Sequence, residues 1–510
     1  MASTTRASYS RFVLGPPEST KRALVLHDLT CSSQTMKHVA EGLASHGYLV
    51  TVPDFPGHGF APRQESYSWE DMMEFVKSLL HETTYDLVVG HSMGGLLALR
   101  VLHQLPIIYA TRQQPLRVVM VDIGISQSKE VVEPFITTFR SLTEHAPEPN
   151  LYMKSYPRWT RQDAMLQVLA NELCDPEVVY PLLLKPDPWD FTQYLVDIPP
   201  CVQPTFVVGD PEVRGLCRVS VLDGYPNFKV KVITGSSHWI PYEFPEEPPT
   251  RLKHSPRPPL AMSYSSRHVI GSPESTKRAL LLHGLTCSSH GMKSIAEGLA
   301  SHGYLVTAPD YPGHGFAPRQ ASYSWDNLLD FVKSLLEETT YDLVIGHSMG
   351  ALLLLRLVHQ LPAAYAARNQ PLRVVLIEPA VLLGKDTLEP LIGMFRNLTE
   401  KAPEPEFYAK LYPRWTKQDA MVHVLANELC DPEVVHPMLS KPDPWDFREY
   451  LIDIPSFVQA TALLGDPEAG GLCRLSDFDD LPNLTAKIIP GVSHWVTYES
   501  PEEVVQASIR

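Results

Sequence analysis

The sequence predicts an α/β protein of two tandem domains, each a mostly parallel central sheet flanked by helices and interrupted by a helical cap. Three observations carry this prediction. The chain has 510 residues, whereas one domain usually takes about 100–250. Its halves repeat each other without a net gap, so that His27, Ser92, Asp210 and His238 recur as His283, Ser348, Asp466 and His494 at one constant offset. A repeat this long is a duplicated domain, because solenoid units run only about 20–50 residues. Within each half, short apolar runs alternate with segments of helical period, the pattern of a parallel sheet with crossover helices.

The elements of copy 1 follow in order. RALVLH (22–27) is a strand, and MKHVAEGLASHG (36–47) a helix with Met36, Val39, Ala40 and Leu43 on one face and Gly47 suited to its end. YLVTVPD (48–54) is the next strand. Ser68 caps a helix whose Met72, Phe75, Val76, Leu79 and Leu80 share a face. DLVVG (86–90) is a strand, MGGLLALRVLHQL (93–105) a helix and RVVMVD (117–122) another buried strand. Residues 145–195 lose the alternation and read as a helical insertion, with 401–451 its counterpart in copy 2. PTFVVGD (204–210) and KVKVITG (229–235) resume the sheet.

The predicted domains are 1–245 and 262–510. Between them, 246–261 is a proline-rich tether, since the five prolines within 248–259 cannot continue a helix. Copy 2 ends in PEEVVQASIR, a short helix, where copy 1 has PEEPPTRLKH. Copy 1 is therefore expected to lack its closing helix, and contact between the two copies is one way to compensate.

Composition limits the function classes. A formal charge of −15 with no Lys/Arg cluster argues against nucleic acid or an anionic membrane as partner. Apolar runs such as ALLLLRLV (351–358) are too short and too interrupted to span a bilayer. The first residues lack the apolar core of a secretory signal, and seven singly scattered cysteines make neither a disulfide framework nor a metal-ligand spacing. The expectation is a cytoplasmic protein with a small-molecule substrate and no metal or organic cofactor.

The chemistry sits at Gly90-His91-Ser92-Met93-Gly94 and at Gly346-His347-Ser348-Met349-Gly350, each between a strand and a helix. There a serine stands on a tight, strained turn whose flanking glycines remove colliding Cβ atoms. Its hydroxyl projects over the N-terminus of the next helix, where the Met93 or Met349 N–H can stabilise negative charge. A serine needs a base to take its proton. His238 in GSSHWI and His494 in GVSHWV, each just past the last strand, are the candidates. For the acid that orients the imidazole, two carboxylates compete in GDPE: Asp210 or Glu212 in copy 1, and Asp466 or Glu468 in copy 2. The Asp-Pro step, which pins the chain where the acid should emerge, favours the aspartates.

The order Ser, acid, His with a helical insertion before the acid resembles the α/β-hydrolase superfamily. His-Gly at 283–284, PDYPGHG at 309–315 and the GHSMG elbows strengthen the resemblance over nearly all of both copies. It implies serine-based chemistry without choosing a substrate. It also implies an acid three residues after the strand's glycine, which keeps Glu212 and Glu468 in play. Further, it implies that the loop after His-Gly supplies a second oxyanion-hole N–H, from Leu285 in copy 2 and Leu29 in copy 1.

Copy 1 departs from that pattern with Asp28 in place of Gly284. A carboxylate beside a developing oxyanion is expected to cost roughly 10²–10³ in rate. The expected function is a serine hydrolase of a largely apolar ester, thioester or lactone, with copy 2 the stronger site. C–C bond hydrolysis, acyl transfer, or a non-catalytic binding or scaffold role for one or both copies are the alternatives. His27, His283, His58 and His314 are expected to be structural. Trp159, Trp189, Trp415 and Trp445 either pack the cap or face an apolar substrate group.

Overall fold

In copy 1 the strands β1 (Tyr9–Gly15), β2 (Lys21–Leu26), β3 (Tyr48–Pro53), β4 (Leu87–His91), β5 (Leu116–Val121), β6 (Val202–Gly209) and β7 (Lys229–Ile233) lie side by side in the order β1-β3-β2-β4-β5-β6-β7. The computed structural model describes residues 9–184, 189–225, 228–245, 265–479, 481 and 483–509. It separates into two compact units, Tyr9–Ser265 and Ser266–Arg510. The tether at 246–261 and the place of a closing helix in copy 1 lie outside the described residues, as do 185–188 of its cap.

Central strands are parallel, with Ala23 opposite both Val50 and Leu87, and Val89 opposite Val119. They read as unbroken apolar runs because helices cover both faces of the sheet. An antiparallel strand, β1, which the sequence pattern did not single out, pairs with β3 through Val13 and Thr51. At the other end β7 carries Lys229 and Lys231 on a largely exposed edge, which discourages further pairing.

Copy 2 repeats the plan with β8 (Ser265–Gly271), β9 (Lys277–Leu282), β10 (Tyr304–Asp310), β11 (Leu343–His347) and β12 (Leu372–Ile377). A two-residue ribbon, β13 (Leu382–Leu383) with β14 (Trp445–Asp446), ties its cap down before β15 (Val458–Leu464) and β16 (Leu484–Ile488) complete the sheet. Here the closing helix is present at Pro501–Ile509, with Val504 and Val505 buried.

Helices form where the periodicity predicts them. Ser68 Oγ accepts from the Asp71 N–H at the start of Trp69–Glu82, and Met72, Val76, Leu79 and Leu80 point into the core. The cap is longer than its predicted bounds. It opens with an amphipathic helix at Lys129–Glu144, matched by Lys385–Glu400, before the helices of 149–184. That first helix keeps few residues fully buried, so its apolar stripe faces a cavity rather than the sheet. All seven cysteines are free thiols, and no described helix is long and apolar enough to cross a membrane.

Candidate active site

Every functional side chain comes from the carboxyl ends of the strands, where ligands of open α/β sheets collect. In copy 2, Ser348 follows β11 with φ 51° and ψ −115°, a strained conformation for a non-glycine residue. The flanking glycines are sterically required. A Cβ on Gly346 would lie 2.5 Å from Gly350 O, and one on Gly350 would lie 2.4 Å from Leu282 O. The Ser348 N–H donates to Ile377 O at 2.8 Å, anchoring the elbow to β12. Copy 1 has the same turn at Ser92, with φ 48°.

His494 faces this turn and shares a cavity with Ser348, Met349, Gly284 and Leu285. Its Nδ1 lies 3.0 Å from Glu378 Oε2. In copy 1, His238 Nδ1 lies 2.7 Å from Asp122 Oδ2. The carboxylates that meet the imidazoles therefore come from the ends of β5 and β12, and this corrects the expected assignment.

Asp210 and Asp466 are used up locally. Asp210 accepts from the Glu212 N–H at 3.0 Å and the Gly235 N–H at 2.8 Å, and Asp466 accepts from Glu468 and Gly491 at the same distances. Each caps a short turn in this way, and neither bonds to a histidine. Glu212 and Glu468 are exposed.

Asp122 and Glu378 reach their histidines because their backbones are left-handed, at φ 43° and 46°. Both are buried. Backbone N–H groups saturate their remaining acceptor sites: Gly209, Leu216 and Cys217 for Asp122, and Gly465 and Leu472 for Glu378. Burial works against the Glu378 charge, but the His494 hydrogen bond and charge and these N–H groups outweigh it and lower its pKa. The available signal was a carboxylate closing an apolar strand in both copies, VVMVD and VVLIE. Nothing in a linear pattern shows the positive φ that aims it.

Leu285, in the loop after β9, and Met349, at the helix start, line the same cavity. A Cβ on Gly284 would lie 3.2 Å from His347 Nδ1 and 3.3 Å from Ser348 Cβ, so this position backs directly onto the nucleophilic turn. In copy 1 the residue there is Asp28, which is buried. Its Oδ1 accepts from the Leu29 N–H at 2.6 Å and the Met93 N–H at 3.2 Å. Those are the two donors expected to form the oxyanion hole. Its Oδ2 lies 3.4 Å from His238 Nε2.

The electrostatics of copy 1 follow from this placement. Burial opposes ionisation of Asp28, yet the His238 hydrogen bond, the nearby imidazole charges and the Ser92 hydroxyl lower its pKa to about 2. Burial likewise opposes the His238 charge, but hydrogen bonds to Asp122 and Asp28 raise its pKa to about 10. His91 is buried beside it, and that burial together with the His238 charge lowers it to about 4.

His27 and His283 are buried. The Phe55 N–H donates to His27 Nε2 at 3.0 Å, so Nδ1 carries the proton and donates to Asp28 O at 2.7 Å. His58 and His314 pack against them with tilted rings, at 5.1 and 5.2 Å between ring centres. The tryptophans divide by role. Trp159 and Trp415 stack on cap tyrosines, Tyr156 and Tyr412 among them. Trp189 and Trp445 line the cavities and donate to Gly124 O and Ala380 O.

Comparison with known proteins gives the family. The alpha/beta hydrolase family model matches residues 23–248 and again 279–507. The chain belongs to the alpha/beta hydrolase family. It is a tandem pair of such domains, with esterase-named relatives. Esterase YbfF of Escherichia coli is 23% identical over 231 residues, 44% of this chain and 88% of that protein. A carboxylesterase of Bacillus subtilis is 30% identical over 92 residues, 17% of this chain and 37% of the relative. A serine hydrolase-like protein of Dictyostelium discoideum is 35% identical over 89 residues, 16% of this chain and 24% of the relative. This α/β hydrolase thus spans well under half the length of the last two. Among solved structures, the thioesterase domain of a curacin biosynthetic pathway shares 20% identity, with 48% of this chain and 95% of that chain covered at a TM-score of 0.38.

Proposed function

We propose that copy 2 is a serine hydrolase acting on a largely apolar carboxylic ester, thioester or lactone. The observation that carries this reading is the 3.0 Å pairing of His494 Nδ1 with Glu378, in the cavity that holds Ser348 and the unobstructed Gly284 loop. Ser348 Oγ attacks the carbonyl carbon as His494 Nε2 takes its proton. Glu378 holds the imidazole in the required tautomer and stabilises the imidazolium. The carbonyl oxygen, now negative, receives the Leu285 and Met349 N–H groups. Collapse breaks the ester bond, with His494 protonating the leaving group. Water activated by the same imidazole then releases the acid and restores Ser348.

Copy 1 retains Ser92 and His238 without the means to use them. Its two N–H donors are already bound to Asp28, and its imidazole lies between two carboxylates, whose hydrogen bonds raise its pKa and favour the protonated form. A protonated histidine cannot accept the serine proton. A non-catalytic role is the reading this observation favours for copy 1.

The test is intact mass and peptide mapping after treatment with a fluorophosphonate, together with aryl-ester hydrolysis by the full chain and by Ser348→Ala. One adduct, on Ser348, with hydrolysis abolished by the substitution, is the expected result. No adduct on Ser348 would overturn the hydrolase reading.

A further inference from the structure

The cavity above Asp28 is about 470 Å³, within the range of small-molecule sites, whereas its counterpart in copy 2 is about 40 Å³. Two substitutions at its floor account for part of this difference. Gly124 and Gln127 of copy 1 are Ala380 and Leu383 in copy 2, and both of the latter fill the narrower cavity.

That floor presents the opposite polarity to a hydrolase site. In copy 2 it offers two N–H donors to a carbonyl oxygen. In copy 1 the same donors are consumed by Asp28 Oδ1, and the group left facing the cavity is the second carboxylate oxygen, Oδ2. Its contact to His238 Nε2 is long, at 3.4 Å, and a carboxylate oxygen can accept more than one hydrogen bond. Two carboxylates, Asp28 and Asp122, flank one imidazolium, so the floor keeps an uncompensated negative charge. Among the described residues, the other charged group in the lining is Arg214, which is exposed and hence screened by water.

The walls suit a cation with an apolar body. Trp69, Phe135, Phe139, Tyr156, Trp189 and Trp239 surround the space above the carboxylate. Aromatic faces attract ammonium groups, more strongly when water is excluded. A carboxylate brought to the same point meets the negative charge of Asp28, and that like-charge contact disfavours it.

We propose that copy 1 is a non-hydrolytic binding site for an apolar amine, whose ammonium group is received by Asp28 at the blocked oxyanion hole. This rests on the reading of both copies as α/β-hydrolase sites, but not on copy 2 being active. The amine displaces the long His238 contact and donates to Asp28 Oδ2, while its hydrocarbon body fills the aromatic cavity. The duplication thus pairs a site that recognises an acyl group with one that recognises the opposite polarity.

The experiment is calorimetric titration of the full chain with decylamine, and with decanoic acid as the matched anion. The expected result is one decylamine site per chain, tight relative to decanoic acid. Asp28→Asn keeps the shape and its acceptor oxygen but removes the charge, and should weaken decylamine about tenfold or more. Asp28→Gly should abolish the preference and make Ser92 reactive to a fluorophosphonate. Equal binding of amine and acid, unchanged amine affinity in Asp28→Asn, or labelling of Ser92 in the unsubstituted chain would each overturn the proposal. Labelling of Ser348, followed in the same samples, reports on copy 2 alone, so a failure of the hydrolase reading is separately visible.

Discussion

His238 Nε2 lies 3.4 Å from Asp28 Oδ2, on the side of the ring opposite its 2.7 Å bond to Asp122. The imidazole is thereby held between two carboxylates. The ring edge that would take a proton from Ser92 is directed to a negative charge. One residue, Asp28, both accepts from the Leu29 and Met93 N–H groups and contacts the imidazole.

The first prediction concerns the acid. Glu378→Gln should lower kcat by roughly 10³–10⁴, because the neutral amide can favour the wrong imidazole tautomer and cannot stabilise the imidazolium. Asp466→Asn should leave kcat within about threefold and cost only about 1 kcal/mol through weakened turn hydrogen bonds. Steady-state hydrolysis of an aryl ester, with denaturant unfolding of both variants, separates the two carboxylates. The opposite order would restore Asp466 as the orienting acid.

The charge state of His238 gives a pH dependence of stability. Its folded pKa, raised to about 10, lies above the ordinary value of 6.5. The stabilisation it contributes is complete below about 6.5 and is lost as the pH rises through 10. Asp28, lowered to about 2 from 3.8, contributes stability present above 3.8 and lost as the pH falls through about 2. Imidazole nuclear magnetic resonance should find His238 protonated at pH 8, and Asp28→Asn should move its titration downward. A wild-type His238 titrating near 6.5 would mean that the contact is no ion pair.

Transplanting the block is the third test. Gly284→Asp should carry the carboxylate into the hole of copy 2 and lower fluorophosphonate labelling of Ser348 by about 10²–10³. Its Cβ would lie 3.2 Å from His347 Nδ1, so a small fall in Tm should accompany it. Gly284→Ala, which adds the Cβ without the carboxylate, should lower Tm similarly and retain most of the labelling. Equal loss in both variants would assign the effect to crowding.

A fourth prediction addresses the narrow cavity. Ala380→Gly with Leu383→Gln restores the copy 1 residues at that floor and should shift copy 2 toward longer acyl chains. The measurement is the ratio of kcat/KM for octanoyl and acetyl aryl esters, expected to rise about tenfold for the few methylenes newly accommodated. An unchanged ratio would place the chain-length limit elsewhere in the cap.

Much of this molecule was legible in one dimension, and the exceptions share a cause. Duplication, sheet, elbow serines and histidines are local or periodic signals, each readable within a dozen residues. The cap begins before its helical signal does, because its first helix, Lys129–Glu144, is amphipathic toward a cavity and follows β5 through an irregular loop. Gly95 and Ala351 illustrate the same limit. A Cβ on Gly95 would lie 2.3 Å from Ile123 Cγ2, and copy 2 has Pro379 at the corresponding place and buries Ala351 fully.

The sequence by itself determined that this is a doubled α/β hydrolase with a serine and a histidine at matching places in each copy. Periodicity, turn residues and the repeat specify those features without long-range information. Only the tertiary structure decided which carboxylate meets the histidine. Two neighbouring strands end in acids at the same sheet edge, and the choice turns on backbone angles at Asp122 and Glu378 and on the local turns that hold Asp210 and Asp466. Only it showed Asp28 bound to the Leu29 and Met93 N–H groups, because that depends on two N–H groups far apart in sequence converging on one oxygen.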